Sequence, residues 1–141
     1  MNRDVATLSK FLFAGRAVFT ITSTKTGASF TYKFAVPRDD RSGEEGPMFA
    51  SLLTGPDNQS DYTYMGVVTG YNTRHVTVRP TRASKVAESA PSFVALKWFL
   101  ANLTDERVEF RHEGRCGRCG RALTVPSSID SGLGPECAGK V

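Results

Sequence analysis

Arg16-Ala17-Val18-Phe19-Thr20-Ile21-Thr22, a turn at Lys25-Thr26-Gly27-Ala28, and Phe30-Thr31-Tyr32-Lys33-Phe34-Ala35-Val36 decide the fold class of this 141-residue chain. In the first run Ala17, Phe19 and Ile21 alternate with Arg16, Val18 and Thr20. In the second, Phe30, Tyr32, Phe34 and Val36 alternate with Ser29, Thr31, Lys33 and Ala35. A period of two places one set on a buried face and the other on an outer one. Two such runs joined by a short glycine-containing loop predict a β-hairpin.

Working outward, Met48–Leu53, Tyr62–Val68 and His75–Val78 read as further strands, and Gly55-Pro56-Asp57-Asn58 as a tight turn. The expectation is an antiparallel sheet of about five strands. Upstream, Val5, Leu8, Phe11 and Leu12 have helical spacing, with Asp4 or Thr7 as the cap. Downstream, Ser89-Ala90-Pro91-Ser92 opens the clearest helix, with Ser89 as its cap. Phe93, Leu96, Phe99, Leu100 and Leu103 make one apolar stripe, and Trp98 lies near its edge. The stripe is expected to cover one face of the sheet, giving an α+β domain over residues 1–104. Residues 105–141 then form a separate C-terminal finger, with Thr104-Asp105-Glu106 at the boundary. Pro37–Pro47, rich in proline, glycine and charge, reads as a loop.

Hydrophobic residues make up 40% and charged residues 23%, an ordinary globular balance. No apolar run approaches the ~18 residues of a membrane span. The N-terminus lacks the layout of a signal peptide, so a cytoplasmic location is expected, and the sequons at Asn58 and Asn102 carry no meaning there. The net charge of +4 is too small to imply nucleic acid by itself. Its distribution says more. Arg74, His75, Arg79, Arg82 and Lys85 occur with no acid between Tyr62 and Ala87, and Arg107, Arg111, Arg115, Arg118 and Arg121 recur near the C-terminus. The bland alternative is a solvated basic surface.

All three cysteines fall within Cys116–Cys137, an odd, clustered set that suits metal ligation better than disulfides. A Cys-x-x-Cys knuckle brings Cys116 and Cys119 to one ion, with Gly117 and Gly120 allowing its backbone conformation. Cys137 follows Gly132-Leu133-Gly134-Pro135-Glu136, which predicts a short helix with the cysteine in its first turn. Knuckle plus helix start is the ligand arrangement of treble-clef-like fingers. One structural Zn²⁺ is expected, and His112, separated from Cys116 by three residues, is the foremost fourth ligand. Asp130, Glu136, a water or a ligand from a second copy are its rivals.

The run His112-Glu113-Gly114-Arg115-Cys116-Gly117-Arg118-Cys119-Gly120-Arg121, with Leu123-Thr124-Val125-Pro126, Ser128-Ile129 and Gly132-Leu133-Gly134-Pro135-Glu136-Cys137, resembles the C-terminal finger of small phage and prophage proteins of uncharacterised function. Gly15–Thr20, Thr26-Gly27, Leu53–Asn58 and Asp61–Gly66 resemble them more loosely. The resemblance implies a viral or mobile-element origin and a host cytoplasm, and supplies no activity.

The leading expectation is a non-catalytic nucleic-acid-binding module. Arg74, Arg79, Arg82, Lys85, Arg118 and Arg121 would meet phosphates, and Tyr62, Tyr64 and Tyr71 would stack on unpaired bases. The alternative is a protein-binding inhibitor of a host defence complex, of the anti-CRISPR kind, with the zinc purely structural. The loops at 37–47 and 54–61 would then make contact. Catalysis is disfavoured: no nucleophile elbow, phosphate loop or convincing carboxylate pair is present, and zinc held by three thiolates and a histidine is closed to water. Oligomeric state is left open.

Overall fold

The computed structural model describes residues 3–36, 47–57, 59–71 and 73–139. Most of the proposed 37–47 loop, and Asn58 of the 55–58 turn, lie outside them. The elements run α1 (Val5–Leu12), β1 (Arg16–Ser23), β2 (Ser29–Ala35), β3 (Met48–Leu53), β4 (Tyr62–Thr69), β5 (Thr77–Arg79), α2 (Pro91–Ala101), β6 (Val108–His112), α3 (Pro126–Ser131) and α4 (Pro135–Ala138).

The strands form one curled antiparallel sheet of six, in the order β5-β4-β3-β2-β1-β6. The first five are a meander. The sixth, absent from the expected set, comes back from the far end of the chain to pair with β1, Phe19 opposite His112 and Ile21 opposite Phe110. Residues 108–112, assigned from sequence to the finger, therefore complete the sheet. Their period-two pattern is short, and only the distant partner β1 gives it a place.

One face of the sheet is filled. Ala17, Phe19, Ile21, Tyr32, Phe34, Met48, Ala50, Met65, Val68 and Val78 are buried there together with Leu8, Phe11 and Leu12 of α1 and Phe93, Leu96, Phe99 and Leu100 of α2. Aromatic rings knit the layers: Phe19 meets Phe34 edge to face at 5.0 Å, and Phe99 stacks on Phe110 at 5.8 Å. The buried Tyr32 hydroxyl donates to the Ser92 carbonyl at 2.7 Å, tying sheet to helix without stranding a polar group. The helix stripe is core as expected, although Leu103 falls past the helix end and is half-buried. Asp4 caps α1 by accepting from the Thr7 amide at 2.6 Å. The cap of α2 is Ala90 rather than Ser89; alanine has no side-chain acceptor to offer, and Pro91 occupies the first helical position, where its missing N–H costs nothing.

Among the described residues no helix is long and apolar enough to cross a membrane.

Candidate functional site

Past β6 the chain makes a knuckle closed by the Cys116 amide donating to Arg121 O at 2.8 Å and the Gly120 amide to Cys116 O at 2.9 Å. Gly120 stands at φ +78°, a conformation that an L side chain resists. Gly117 serves a different need from the one expected. It has no positive φ, but a Cβ there would sit 2.6 Å from Phe11 O and 2.7 Å from its ring. The finger rests on α1 at this point. Arg16 N donates to Gly117 O at 2.7 Å and Gly117 N to Gly132 O at 2.8 Å, so sheet, knuckle and the α3–α4 turn share one chain of backbone bonds.

Pro135 opens α4 and places Cys137 within its first turn, as the spacing predicts. The sulfurs of Cys116, Cys119 and Cys137 then lie within 4.8 Å of one another, with no disulfide among them. A tetrahedral ion bonded at about 2.3 Å to sulfur needs thiolates roughly 3.8 Å apart, so small side-chain movements close this trio on one metal. The surroundings of Cys116 favour its charged form. Gly134, Arg118 and Cys119 amides donate to Cys116 Sγ at 3.3, 3.4 and 3.5 Å. Burial pushes the Cys116 thiol up, but these N–H bonds outweigh it and bring it down to about 7. Cys137 is pushed up, by burial first and then by its fellow thiols; the Arg118 guanidinium, 3.8 Å from its sulfur, works the other way. Three converging thiols with amide donors aimed at one of them are a fit donor set for a thiophilic metal.

His112 stands outside this set. Its Nδ1 accepts from the Gly114 amide at 2.9 Å, so the proton is on Nε2, which donates to Ile129 O at 2.7 Å. Both ring nitrogens are engaged, and the ring packs 5.6 Å from that of Phe11. The histidine clamps α3 to the sheet edge. The closure of the metal site, inferred from a histidine as fourth ligand, loses its basis. All three cysteines line a cavity of about 320 Å³ that Glu136 and Arg121 also border.

The basic residues singled out from sequence divide into groups. Arg79, Arg82 and Lys85 are exposed and follow one another along and after β5. That segment lies against β4: the Lys85 amide donates to Tyr64 O at 2.9 Å, and Thr81 Oγ1 is 3.1 Å from the Tyr64 hydroxyl. Arg118 and Arg121 lie on the finger, beyond the opposite edge of the sheet. Arg74 is in the turn after β4, beside α1, and Tyr71 stacks on Phe13 as part of the packing.

What the sequence did not disclose is the outer face. Arg16, Ala35, Phe49, Val67 and Arg79 are successive cross-strand partners, forming one row over five strands with an arginine at each end. In the adjoining row stand Val18, Lys33, Ser51 and Tyr64. Phe49 and Tyr64 meet edge to face at 5.9 Å, and Lys33 Nζ sits 4.4 Å from the centre of the Tyr62 ring. Burial lowers the Lys33 pKa, and the nearby charge of Arg16 lowers it further. The neighbouring acid Glu113 accepts a 2.8 Å bond from Thr20 Oγ1. At the β1 end, a Cβ on Gly120 would lie 3.2 Å from Cδ and Nε of Arg16, so this arginine leans on the cysteine knuckle. Only register could have revealed the row, since its members lie on five different strands, far apart along the chain.

Residues 106–141 match a family of unknown function (DUF6011), which covers the C-terminal quarter of the chain and includes all three cysteines. No curated protein and no solved structure matches the chain.

Proposed function

We propose that this is a non-catalytic, zinc-stapled binding protein whose outer sheet face takes single-stranded nucleic acid. The observation that carries the reading is the pairing of Phe49 and Tyr64, with Tyr62 nearby, inside a frame of Arg16, Lys33 and Arg79. Half-exposed rings offer stacking surface to unpaired bases, and cations spaced around them meet a phosphate chain. A row that is apolar at its centre and cationic at both ends suits a polyanion with flat apolar groups. Arg82 and Lys85 extend the frame beyond β5. Arg118 and Arg121 extend it on the finger, and Arg74 takes no part. One zinc ion held by Cys116, Cys119 and Cys137 fixes the finger against Arg16. The resemblance to phage proteins supports an accessory role in an infected cytoplasm.

Titration with labelled single-stranded DNA and RNA tests this. Stacking contributes roughly 1–3 kcal/mol per base, so Tyr64→Ala is expected to weaken binding by about 5- to 150-fold. Arg79→Ala is expected to flatten the log affinity–log salt slope by about 0.7. Absence of saturable binding near physiological salt, or affinity unchanged in Tyr64→Ala, overturns the reading and leaves the protein-binding inhibitor of a host defence complex in first place.

A further inference from the structure

The thiol cluster contains three donors where a tetrahedral ion takes four, and His112 is committed elsewhere. We infer that the fourth coordination position faces the cavity beside Cys116, Cys119 and Cys137 and takes an exchangeable ligand from solution, a water that small anions or thiols replace. This rests on the metal-binding reading above.

The geometry argues for it in three ways. Among the described residues the group of metal-ligating atoms that converge is the thiol trio alone. The nearest histidine spends Nδ1 on the Gly114 amide and Nε2 on the Ile129 carbonyl, and turning to a metal would break the bond that joins β6 to α3. Finally, all three cysteines border one cavity of about 320 Å³, ample for a ligand of a few atoms. Charge is consistent with an incoming anion. A divalent ion with three thiolates carries one net negative charge, and Arg118 at Cys137 Sγ together with Arg121 on the cavity wall offset it. A site of three protein donors and one small ligand is what open zinc centres have, in contrast to the four-donor set of purely structural ones.

Zinc is spectroscopically silent, so the test replaces it with Co²⁺, whose visible bands report the ligand set. The full chain is loaded with Co²⁺ and titrated with azide and, separately, with 2-mercaptoethanol. A saturable shift of the visible bands is expected, with the untreated spectrum the same in His112→Ala and Glu136→Gln as in the unaltered protein. Bands that neither probe moves overturn the inference. So does an untreated spectrum altered by Glu136→Gln or His112→Ala, which assigns the fourth donor to the chain, or one that varies with protein concentration, which assigns it to a second copy. Should the His112→Ala finger fail to fold, the titration of the unaltered protein still decides. Failure to bind Co²⁺ at all is a separate outcome: it removes the metal reading and this inference with it.

Discussion

Between Leu8 and Leu100 the chain buries Phe11, Phe19, Phe34, Phe93 and Phe99 completely, in one cluster that α1, α2 and the sheet share. Between Glu113 and Gly139 the buried apolar cluster is Cys116, Leu133 and Cys137. The first region has the apolar area that holds a fold together by burial, whereas the second is too small for that, and its three thiols could add a metal as a second source of stability. Two of the three members of the small cluster are cysteines that could hold a metal. One 141-residue chain thus joins a large apolar core to a small thiol-rich cluster at Phe11, against which Gly117 and Gly132 are packed.

The largest effect that could break the comparison is metal removal. Structural zinc in finger peptides is worth about 10–16 kcal/mol near neutral pH, so chelation or Cys137→Ser is expected to release the ion and unfold the finger. Hydrogen exchange is the measurement. Amides of 113–139 should lose protection while those of β1 and β2 keep theirs. Protection retained in the finger after chelation would show that its backbone bonds suffice and that the contrast is false.

Next in size is Phe99→Ala. This ring is fully buried between Phe19 and Phe110, and its loss should cost roughly 3–5 kcal/mol in urea unfolding. Metal content per folded chain should stay constant, since no thiol touches that cavity. A midpoint close to that of the unaltered protein would mean that α2 is not what holds the sheet.

The smallest effect probes the joint. Gly132 sits at φ +74°, and a Cβ there would be 2.4 Å from Cδ1 of Phe11. Gly132→Ala is expected to cost about 1–3 kcal/mol from overpacking and backbone strain. In a Phe11→Ala background the steric part should vanish, leaving a non-additive pair. Strict additivity would show that finger and sheet are independent.

The hairpin of β1 and β2, the helix stripe and the three cysteines were legible because each is a local pattern: period two, period 3.6, or ligand spacing. The sixth strand was not, because Val108-Glu109-Phe110-Arg111-His112 becomes a strand only beside β1, some ninety residues away, with Phe110 placed on Phe99. His112 misled for a related reason. Nearness to Cys116 in sequence suggested ligation, but the β6 backbone turns its ring toward Phe11 and gives Nε2 the Ile129 carbonyl.

By itself the sequence determined that this protein has a sheet with a covering helix and three thiols able to share an ion, since these follow from residue type and spacing along a short span. Only the tertiary structure placed Arg16, Phe49 and Arg79 in one row, required Gly117 for closeness rather than for its dihedral angle, and gathered, among the described residues, three candidate metal donors without His112. Each of these depends on which distant backbones lie side by side. Strand register and side-chain hydrogen bonds set that, and no local period encodes it.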